Sequence, residues 1–228
     1  WAIIGHLFLN RCDRNLKKGL AHLEMPRPNF HQNQHWVFKK GDWYQHDPCS
    51  TVNDSPAWYG PDLIKKILQS ETKKEIATHS FSHIDFSNCD EHLALAELMR
   101  CKEIMNVYGL TPKSIVFPGN LIGHLDILPK IGITAFRGSE DAVLYPTRAK
   151  VGIWNVHGSM QLSGYGREER LVQRARQLIE CAITNNAVFH LWLHPYEVDK
   201  KMIQKALVPI LKYANEMREN GKLWIATM

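Results

Sequence analysis

Short segments rich in β-branched and aromatic residues alternate along this chain with longer segments whose apolar residues recur at helical spacing. The helical patterns cover residues 61–70, 90–109, 167–186 and 199–221, and Pro209 interrupts the last of them. The strand-like segments are 1–8, 75–80, 114–118, 133–138, 151–156, 188–194 and 222–227. Alternation of this kind predicts an α/β fold whose parallel strands are joined by right-handed helical crossovers.

The length and charge of the chain narrow the class of protein further. A chain of 228 residues with 44% hydrophobic residues fits a single α/β domain with a sizeable core. No apolar run reaches the roughly 18–20 residues of a membrane span. The net charge of +5 comes from basic residues scattered over the helical patterns, which predicts solvated helix faces and argues against a nucleic-acid surface.

Five cysteines are present, and no two of them form a Cys-x-x-Cys pair. The odd number and the spacing argue against a disulfide framework and against a structural zinc knuckle. A single bridge between Cys12 and Cys49 stays open, because these two residues flank the same long loop. A reduced, cytoplasmic setting is slightly favoured. A cell-envelope location also stays open, because the chain opens on a strand-like segment without an initiator Met and its amino end looks cut off. The oligomeric state cannot be read from the sequence.

His79 and His83 stand four residues apart in the segment "EIATHSFSHIDF". On a straight strand their side chains would be about 13 Å apart, too far to share a metal ion. Residues four apart on a helix could chelate, but Ile76, Thr78 and Phe81 favour a strand. A strand that ends at His79 and then turns would bring His83 back toward it. The sequence therefore predicts a two-histidine metal site just past the carboxyl end of a strand, where parallel α/β folds carry their sites.

Residues 10–60 break the alternation, and they combine several Trp and Tyr residues with His31, His35 and His46. A long segment with little periodicity is typical of a functional loop or lid. Its aromatic residues suit stacking on sugars. A packed cap with its own small core explains the same composition equally well.

Other polar and aromatic side chains follow the later strands. "FPGN" at 117–120 ends one strand and Arg137 lies at the end of the next, while "HLWLHP" carries His190, Trp192 and His194 on one face. If the sheet is parallel, His194 lies at the same edge as the histidine pair. His190 lies at the opposite end of its strand, and we expect it to be structural.

Four of these segments, in the same order, resemble the polysaccharide deacetylases, the NodB-like carbohydrate esterases. "THSFSH" resembles their His-Ser/Thr-x-x-His zinc motif, and "SIVFPGNLIGHLDIL" resembles their third motif. "FHLWLHP" resembles their late histidine strand, and "WAIIGHLF" is similar to their second strand. The resemblance implies a distorted, incomplete (β/α)7-type barrel. In this chain it would form a single catalytic domain over 1–228 that lacks the first strand.

The resemblance also implies a chemistry and a set of site residues. The enzyme would be a hydrolase that removes acetyl groups from an N- or O-acetylated polysaccharide or glycan, using a divalent metal, Zn²⁺ or else Co²⁺ or Ni²⁺. A metal-bound water, activated by an aspartate base, would attack the acetyl carbonyl. The implied metal ligands are His79 and His83, with His194 as the general acid. Substrate contacts are expected from Phe117, Pro118, Asn120 and Trp192.

Two departures from the family pattern keep other functions open. The Asp-Asp pair that supplies the base and the third ligand belongs upstream of Trp1, and neither Asp54 nor Asp85 replaces it, so this fragment is expected to be inactive alone. Gly119 stands where related sequences carry an Arg, so the charge of that Arg is missing. Either another basic residue such as Arg137 compensates for it, or activity is reduced. A glycan-binding homologue with impaired catalysis and a small-molecule amidase of the allantoinase-like branch therefore remain alternatives.

Overall fold

The computed structural model describes residues 1–28, 41–139, 141–163 and 167–228. These residues form two compact units. The first unit consists of Trp1–Phe136 with Lys150–Ile153, and the second of Arg137–Ala149 with Trp154–Met228. That the whole chain acts as one catalytic domain stays a prediction.

Short parallel strands form the centre of the first unit. They are β1 (Ala2–Ile3), β2 (Ala77–Thr78) and β3 (Ser114–Val116). Ile3 pairs with Thr78, and Thr78 pairs in turn with Ile115. The first residues of β4 (Ala135–Gly138) also belong to this unit. The predicted α/β class with parallel strands is confirmed.

The predicted strand over 1–8 is wrong beyond Ile3, because Gly5–Phe8 forms a 3₁₀ helix. The amides of Gly5 and His6 donate to the carbonyl oxygens of Ser80 and Phe81, at 2.8 and 3.0 Å. These two bonds go to the turn that follows β2, so the segment leaves the strand ladder there.

Two helices belong to the first unit, and both begin within one residue of where the sequence predicts. They are α1 (Pro61–Gln69) and α2 (Glu91–Val107). Pro61 occupies the first turn of α1, where its missing N–H costs nothing. The Asp90 carboxylate caps α2 by accepting from the Leu93 amide at 2.8 Å.

The second unit contains the last residues of β4 together with β5 (Thr147–Arg148) and β6 (Trp154–His157), in the order β4–β6–β5. A separate parallel pair is formed by β7 (Met160–Gln161) and β8 (Leu191–Trp192). Three helices complete this unit, namely α3 (Glu168–Thr184), α4 (Lys200–Met202) and α5 (Val208–Glu219). A buried apolar cluster on α3 and the later helices forms its core.

The carboxyl-terminal part of the chain agrees with the sequence in one feature and differs in another. A π-helical turn, Ile203–Leu207, joins α4 to α5 directly before Pro209, as expected where proline removes a helical N–H. The predicted strand over 222–227 is wrong, because this segment has no regular structure and leaves Trp224 80% exposed. None of the helices in the described part of the chain is long and apolar enough to cross a membrane.

Candidate active site

His79 and His83 lie on a turn that begins where β2 ends. The His79 amide still donates to the Ile3 carbonyl at 3.1 Å, as a continuation of the β1–β2 ladder. Ser80 and His83 then adopt left-handed backbone conformations, with φ of 61° and 63°, and the Ser80 hydroxyl accepts from the His83 amide at 2.9 Å. The turn brings the two imidazole rings to 4.8 Å between centroids. Of the geometries considered from sequence, the strand that ends and turns is the one observed.

The hydrogen bond of His79 selects its tautomer. Its Nδ1 atom lies 2.6 Å from the carbonyl oxygen of Val116 in β3. Because a carbonyl oxygen can only accept, Nδ1 must carry the proton, and the lone pair of the neutral ring is then on Nε2. Metal-binding histidines commonly have this arrangement, in which a backbone carbonyl holds one nitrogen and the other faces the ion. A proton on Nδ1 is the arrangement that a metal ligand binding through Nε2 requires.

Glu97 of α2 forms hydrogen bonds to the same turn. Its side chain is fully buried and accepts hydrogen bonds from the Ser82 amide at 2.7 Å, the Ser82 hydroxyl at 2.6 Å and the Tyr44 hydroxyl at 3.3 Å. Burial raises the pKa of this carboxyl above its ordinary value, although the bonds from Ser82 oppose that rise. Sequence reasoning missed Glu97, and its position four residues from both Leu93 and Cys101 on a buried helix face was the available signal.

A carboxylate ligand for the histidine pair is not found in the described part of the chain. There, the groups of three or more donors within 4.8 Å of one another centre on Asp47, not on His79. Asp85 is buried and accepts from the amide and hydroxyl of Ser87, at 2.9 and 2.6 Å. Asp54 accepts from Thr51 on an exposed loop. The pair therefore fits a metal ion as two imidazole ligands, and the remaining ligands are not assigned.

The "FPGN" turn divides into two buried residues and two more open ones. Phe117 is only 1% exposed and packs edge-on against Phe86 and Phe136, and Pro118 is also buried. Both side chains are packed into the first unit, and their substrate contact stays a prediction. Gly119 and Asn120 both have left-handed backbones, with φ of 59° and 58°. Asn120 is half-buried, and its substrate contact stays a prediction.

His194 lies in the second unit, two residues after β8 ends. Its Nδ1 atom is 2.9 Å from a carboxylate oxygen of Glu197, and its own amide donates weakly to the same oxygen at 3.3 Å. The side-chain amide of Gln161 in β7 donates to the two oxygens of that carboxylate, at 3.0 and 2.9 Å. Although burial alone would raise the pKa of Glu197, the bonds from Gln161 and His194 lower it below the ordinary value. Sequence reasoning assigned no carboxylate partner here, although the His-Pro-x-Glu spacing is that of a capping box.

Trp192 and the neighbouring charged groups form a second feature of this unit. The guanidinium of Arg137 lies over the Trp192 ring at 4.1 Å, and burial lowers the pKa of Arg137 to about 10. Burial also lowers the pKa of His190 to about 4, with Arg137 contributing, so this ring is neutral at pH 7. A neutral, half-buried His190 is compatible with the structural role expected for it. Trp192 is half-buried and its substrate contact stays a prediction.

The aromatic loop is partly a packed cap. Tyr44 and Tyr59 are buried in the first unit's core, while Trp58 is 40% exposed. Trp43 donates to the Ser82 hydroxyl at 3.0 Å. His31, His35 and Trp36 lie outside the described residues, and stacking on sugars by this loop stays a prediction.

Comparison with known proteins gives matches only among solved structures. No family model matches the chain, and no curated protein matches it. A structure from Mycobacterium smegmatis described as a polysaccharide deacetylase matches 82% of this chain and 66% of its own, with 16% identity and a TM-score of 0.60. A polysaccharide deacetylase structure from Pseudomonas aeruginosa PAO1 matches with 13% identity, a TM-score of 0.54, and coverage of 75% and 61%. Puue allantoinase matches with 11% identity, a TM-score of 0.53, and coverage of 77% and 61%.

These likenesses define the fold. The chain has the mixed α/β fold, with a parallel sheet, that is found in polysaccharide deacetylases and in an allantoinase. At 11–16% identity the likeness extends to the fold and not to the activity. The chain also spans less than two thirds of the length of the matched structures, 61–66%.

Proposed function

We propose that this chain is part of a metal-dependent hydrolase that removes acetyl groups from an N- or O-acetylated glycan. The observation that carries the proposal is the histidine pair after β2. His79 and His83 lie with ring centroids 4.8 Å apart, and the carbonyl of Val116 holds Nδ1 of His79 at 2.6 Å. The fold, common to deacetylases and an allantoinase, supports a reaction at an amide or ester carbonyl.

The histidine pair would hold a divalent ion, and zinc best matches imidazole ligands. When bound, such an ion polarises the acetyl carbonyl and lowers the pKa of a bound water. His79 would present Nε2 to the ion, and the left-handed backbone of His83 would aim its ring at the same point. No described residue is assigned as the base or as the third metal ligand. The acetylated glycan is the substrate that we propose.

His194 is proposed as the general acid. Glu197 accepts from Nδ1 and fixes the ring, so that Nε2 is the edge that can deliver a proton to the leaving amine or alcohol. The side chain of His194 is 40% exposed, which leaves that ring accessible. Gln161 keeps the Glu197 carboxylate in place, and the lowered pKa of Glu197 keeps it charged at neutral pH.

Zinc binding and turnover test the proposal separately. In the complete protein, His83→Ala should release most of the zinc bound at the pair and abolish hydrolysis of an N-acetylglucosamine oligomer. His92→Ala is the matched control, because His92 is an exposed histidine on neighbouring α2. Equal zinc content and equal turnover in the two variants would contradict the metal site.

A glycan-binding homologue with impaired catalysis is the second candidate. The observation that favours it is the Gly119 backbone, with φ of 59° and ψ of 14°, at the position where the resemblance expects an Arg. Binding of the oligomer without turnover by the complete, zinc-loaded protein would select this function. Turnover of allantoin in place of the glycan would select the amidase alternative, which the likeness to the allantoinase keeps open.

A further inference from the structure

A second group of metal-binding side chains lies in the first unit, apart from the histidine pair. Its members fall into two sets of three that share Asp47, namely His6, His22 and Asp47, and Cys12, Asp47 and Cys49. All of them are between 2% and 8% exposed except Cys49, which is half-buried. His6 belongs to the 3₁₀ helix Gly5–Phe8, and the other four come from Leu9 to Gly60, a region whose described residues form no helix and only an isolated bridge between Arg11 and Thr51.

The Asp47 carboxylate is the centre of this group. One oxygen, Oδ2, lies 2.8 Å from Nε2 of His6 and 2.9 Å from Nε2 of His22. The other, Oδ1, accepts from the Cys49 amide at 2.8 Å and from the Tyr59 hydroxyl at 3.1 Å. The carboxylate is therefore fully ordered, and Oδ2 faces two imidazole nitrogens at once.

Cys12 adds a sulfur donor to the same place. Its Sγ atom lies 3.3 Å from Nε2 of His22 and 3.5 Å from Sγ of Cys49. Tetrahedral zinc with its usual bond lengths holds a nitrogen and a sulfur ligand about 3.5 Å apart, and a nitrogen and an oxygen ligand about 3.3 Å apart. The sulfur distance already fits, and the two distances to Asp47 would need to widen by about half an ångström.

The hydrogen bonds of His6 require a cation at this position. Its Nδ1 atom is 3.1 Å from the carbonyl oxygen of Trp58, which can only accept, so Nδ1 carries a proton. The neutral ring would then direct the lone pair of Nε2 at the Asp47 carboxylate, and two lone pairs repel. Either a second proton or a metal ion must lie between these atoms.

We infer that His6, Cys12, His22 and Asp47 bind a structural zinc ion, with the thiol of Cys49 beside it as a fifth donor. Two neutral imidazoles, one thiolate and one carboxylate balance the charge of Zn²⁺, which favours a buried centre. A mixed nitrogen and sulfur donor set is typical of zinc and unlike the oxygen ligands of magnesium or calcium. The ion would join the 3₁₀ helix that carries His6 to segments of a region whose described residues form no helix.

This centre would also support the turn that carries His83. Phe81 on that turn packs edge-on against His22 at 5.2 Å and lies 5.8 Å from His6, measured between ring centroids. The His6 amide donates to the Phe81 carbonyl at 3.0 Å. The inference does not depend on the proposed hydrolase function, and an inactive protein can carry this zinc.

Cobalt substitution tests the inference, because only this group contains sulfur and the His79–His83 pair does not. Protein prepared with Co²⁺ should show a near-ultraviolet thiolate-to-cobalt charge-transfer band. Cys12→Ser should abolish the band, and Cys181→Ser, at an exposed cysteine on α3, should keep it. In a His79→Ala/His83→Ala background, zinc-loaded protein should still retain about one equivalent of zinc per chain, as expected for a single closed structural site.

Two results would overturn the inference. Folded, fully reduced wild-type protein that binds cobalt without the charge-transfer band would mean that a proton, and not a metal ion, lies between His6 and Asp47. If the thiols of Cys12 and Cys49 become reactive only after a reductant is added, and not after a chelator is added, a disulfide joins them. Thiols released by the chelator alone would support the zinc. Circular dichroism of each variant shows whether it has folded.

Discussion

Truncation of Glu97 should destabilise the first unit more than its single charge suggests. Glu97 is fully buried and accepts from the amide and hydroxyl of Ser82 and from the hydroxyl of Tyr44. Glu97→Ala removes the acceptor and leaves the Ser82 amide and the Tyr44 hydroxyl without that partner. It also opens a small cavity beside the turn that carries His83.

The expected loss follows from these contacts. Each buried donor that loses its acceptor costs about 1–3 kcal/mol. Relief from burying a carboxylate, which the raised pKa of Glu97 records, offsets part of that loss. We therefore expect the free energy of unfolding to fall by about 2–4 kcal/mol.

Urea unfolding, followed by circular dichroism at neutral pH, measures this loss. Glu103→Ala is the matched control, because Glu103 lies on the same helix, is 61% exposed and is 3.4 Å from Arg100. An exposed pair of this kind contributes about 0–1 kcal/mol. If the two variants unfold at the same urea concentration with the same slope, Glu97 does not anchor the turn and the reasoning fails.

Four further predictions concern the acid, its carboxylate partner, the "FPGN" turn and pH. In the complete enzyme, His194→Ala should leave zinc bound and lower kcat by roughly 10²–10⁴, with a smaller loss on an activated acetyl ester. Loss of zinc would mean that His194 is a ligand, and equal losses on both substrates would mean that it is a structural residue. Glu197→Gln should lower kcat by less, because it orients the acid without touching substrate, and an unchanged kcat would remove that role. Gly119→Arg should lower the free energy of unfolding by about 1–2 kcal/mol in urea titrations, because its backbone is left-handed, while raised deacetylase activity would indicate a missing supporting charge. Since burial raises the pKa of Glu97, the folded state binds that proton more tightly than the unfolded state does. The free energy of unfolding should therefore fall as pH rises from the ordinary glutamate pKa to the folded-state pKa of Glu97, and then level off. Glu97→Gln should lack that slope, and an unchanged slope would assign it to another group.

The sequence predicted the order of elements and the histidine turn because both depend on local patterns. Ile76 and Thr78 favour a strand, and Ser80 and His83 then accept the left-handed conformations that bring the two rings together. The strand lengths were not predictable in the same way. Ladder hydrogen bonds decide where a strand ends, and Gly5 and His6 give theirs to the turn after β2. The 222–227 segment has an apolar pattern but no strand beside it in the described structure.

The partners of the polar site residues were also out of reach, for a different reason. Glu97 reaches Tyr44 across 53 positions and Asp47 reaches His6 across 41, so no window of sequence contains both groups. The sequence related Cys12 to Cys49, 37 positions away, only as flanks of one loop, and it could not relate either cysteine to Asp47. Glu197 was the exception, because it lies three residues after His194, where a capping-box search would find it.

The turn at 80–83 is held by two elements, and these supports can keep a strained loop in the conformation that the proposed metal ligands need. The 3₁₀ helix after β1 donates to the Ser80 and Phe81 carbonyls, and Glu97 of α2 accepts from Ser82. Left-handed conformations at Ser80 and His83 cost free energy that only surrounding contacts can offset. Since two ligands on a flexible loop would lose conformational entropy on binding an ion, a turn that is already fixed binds it more tightly. The buried anchors around the turn would therefore strengthen the proposed metal site by fixing the segment that carries His79 and His83, and none of them is proposed as a ligand of that ion.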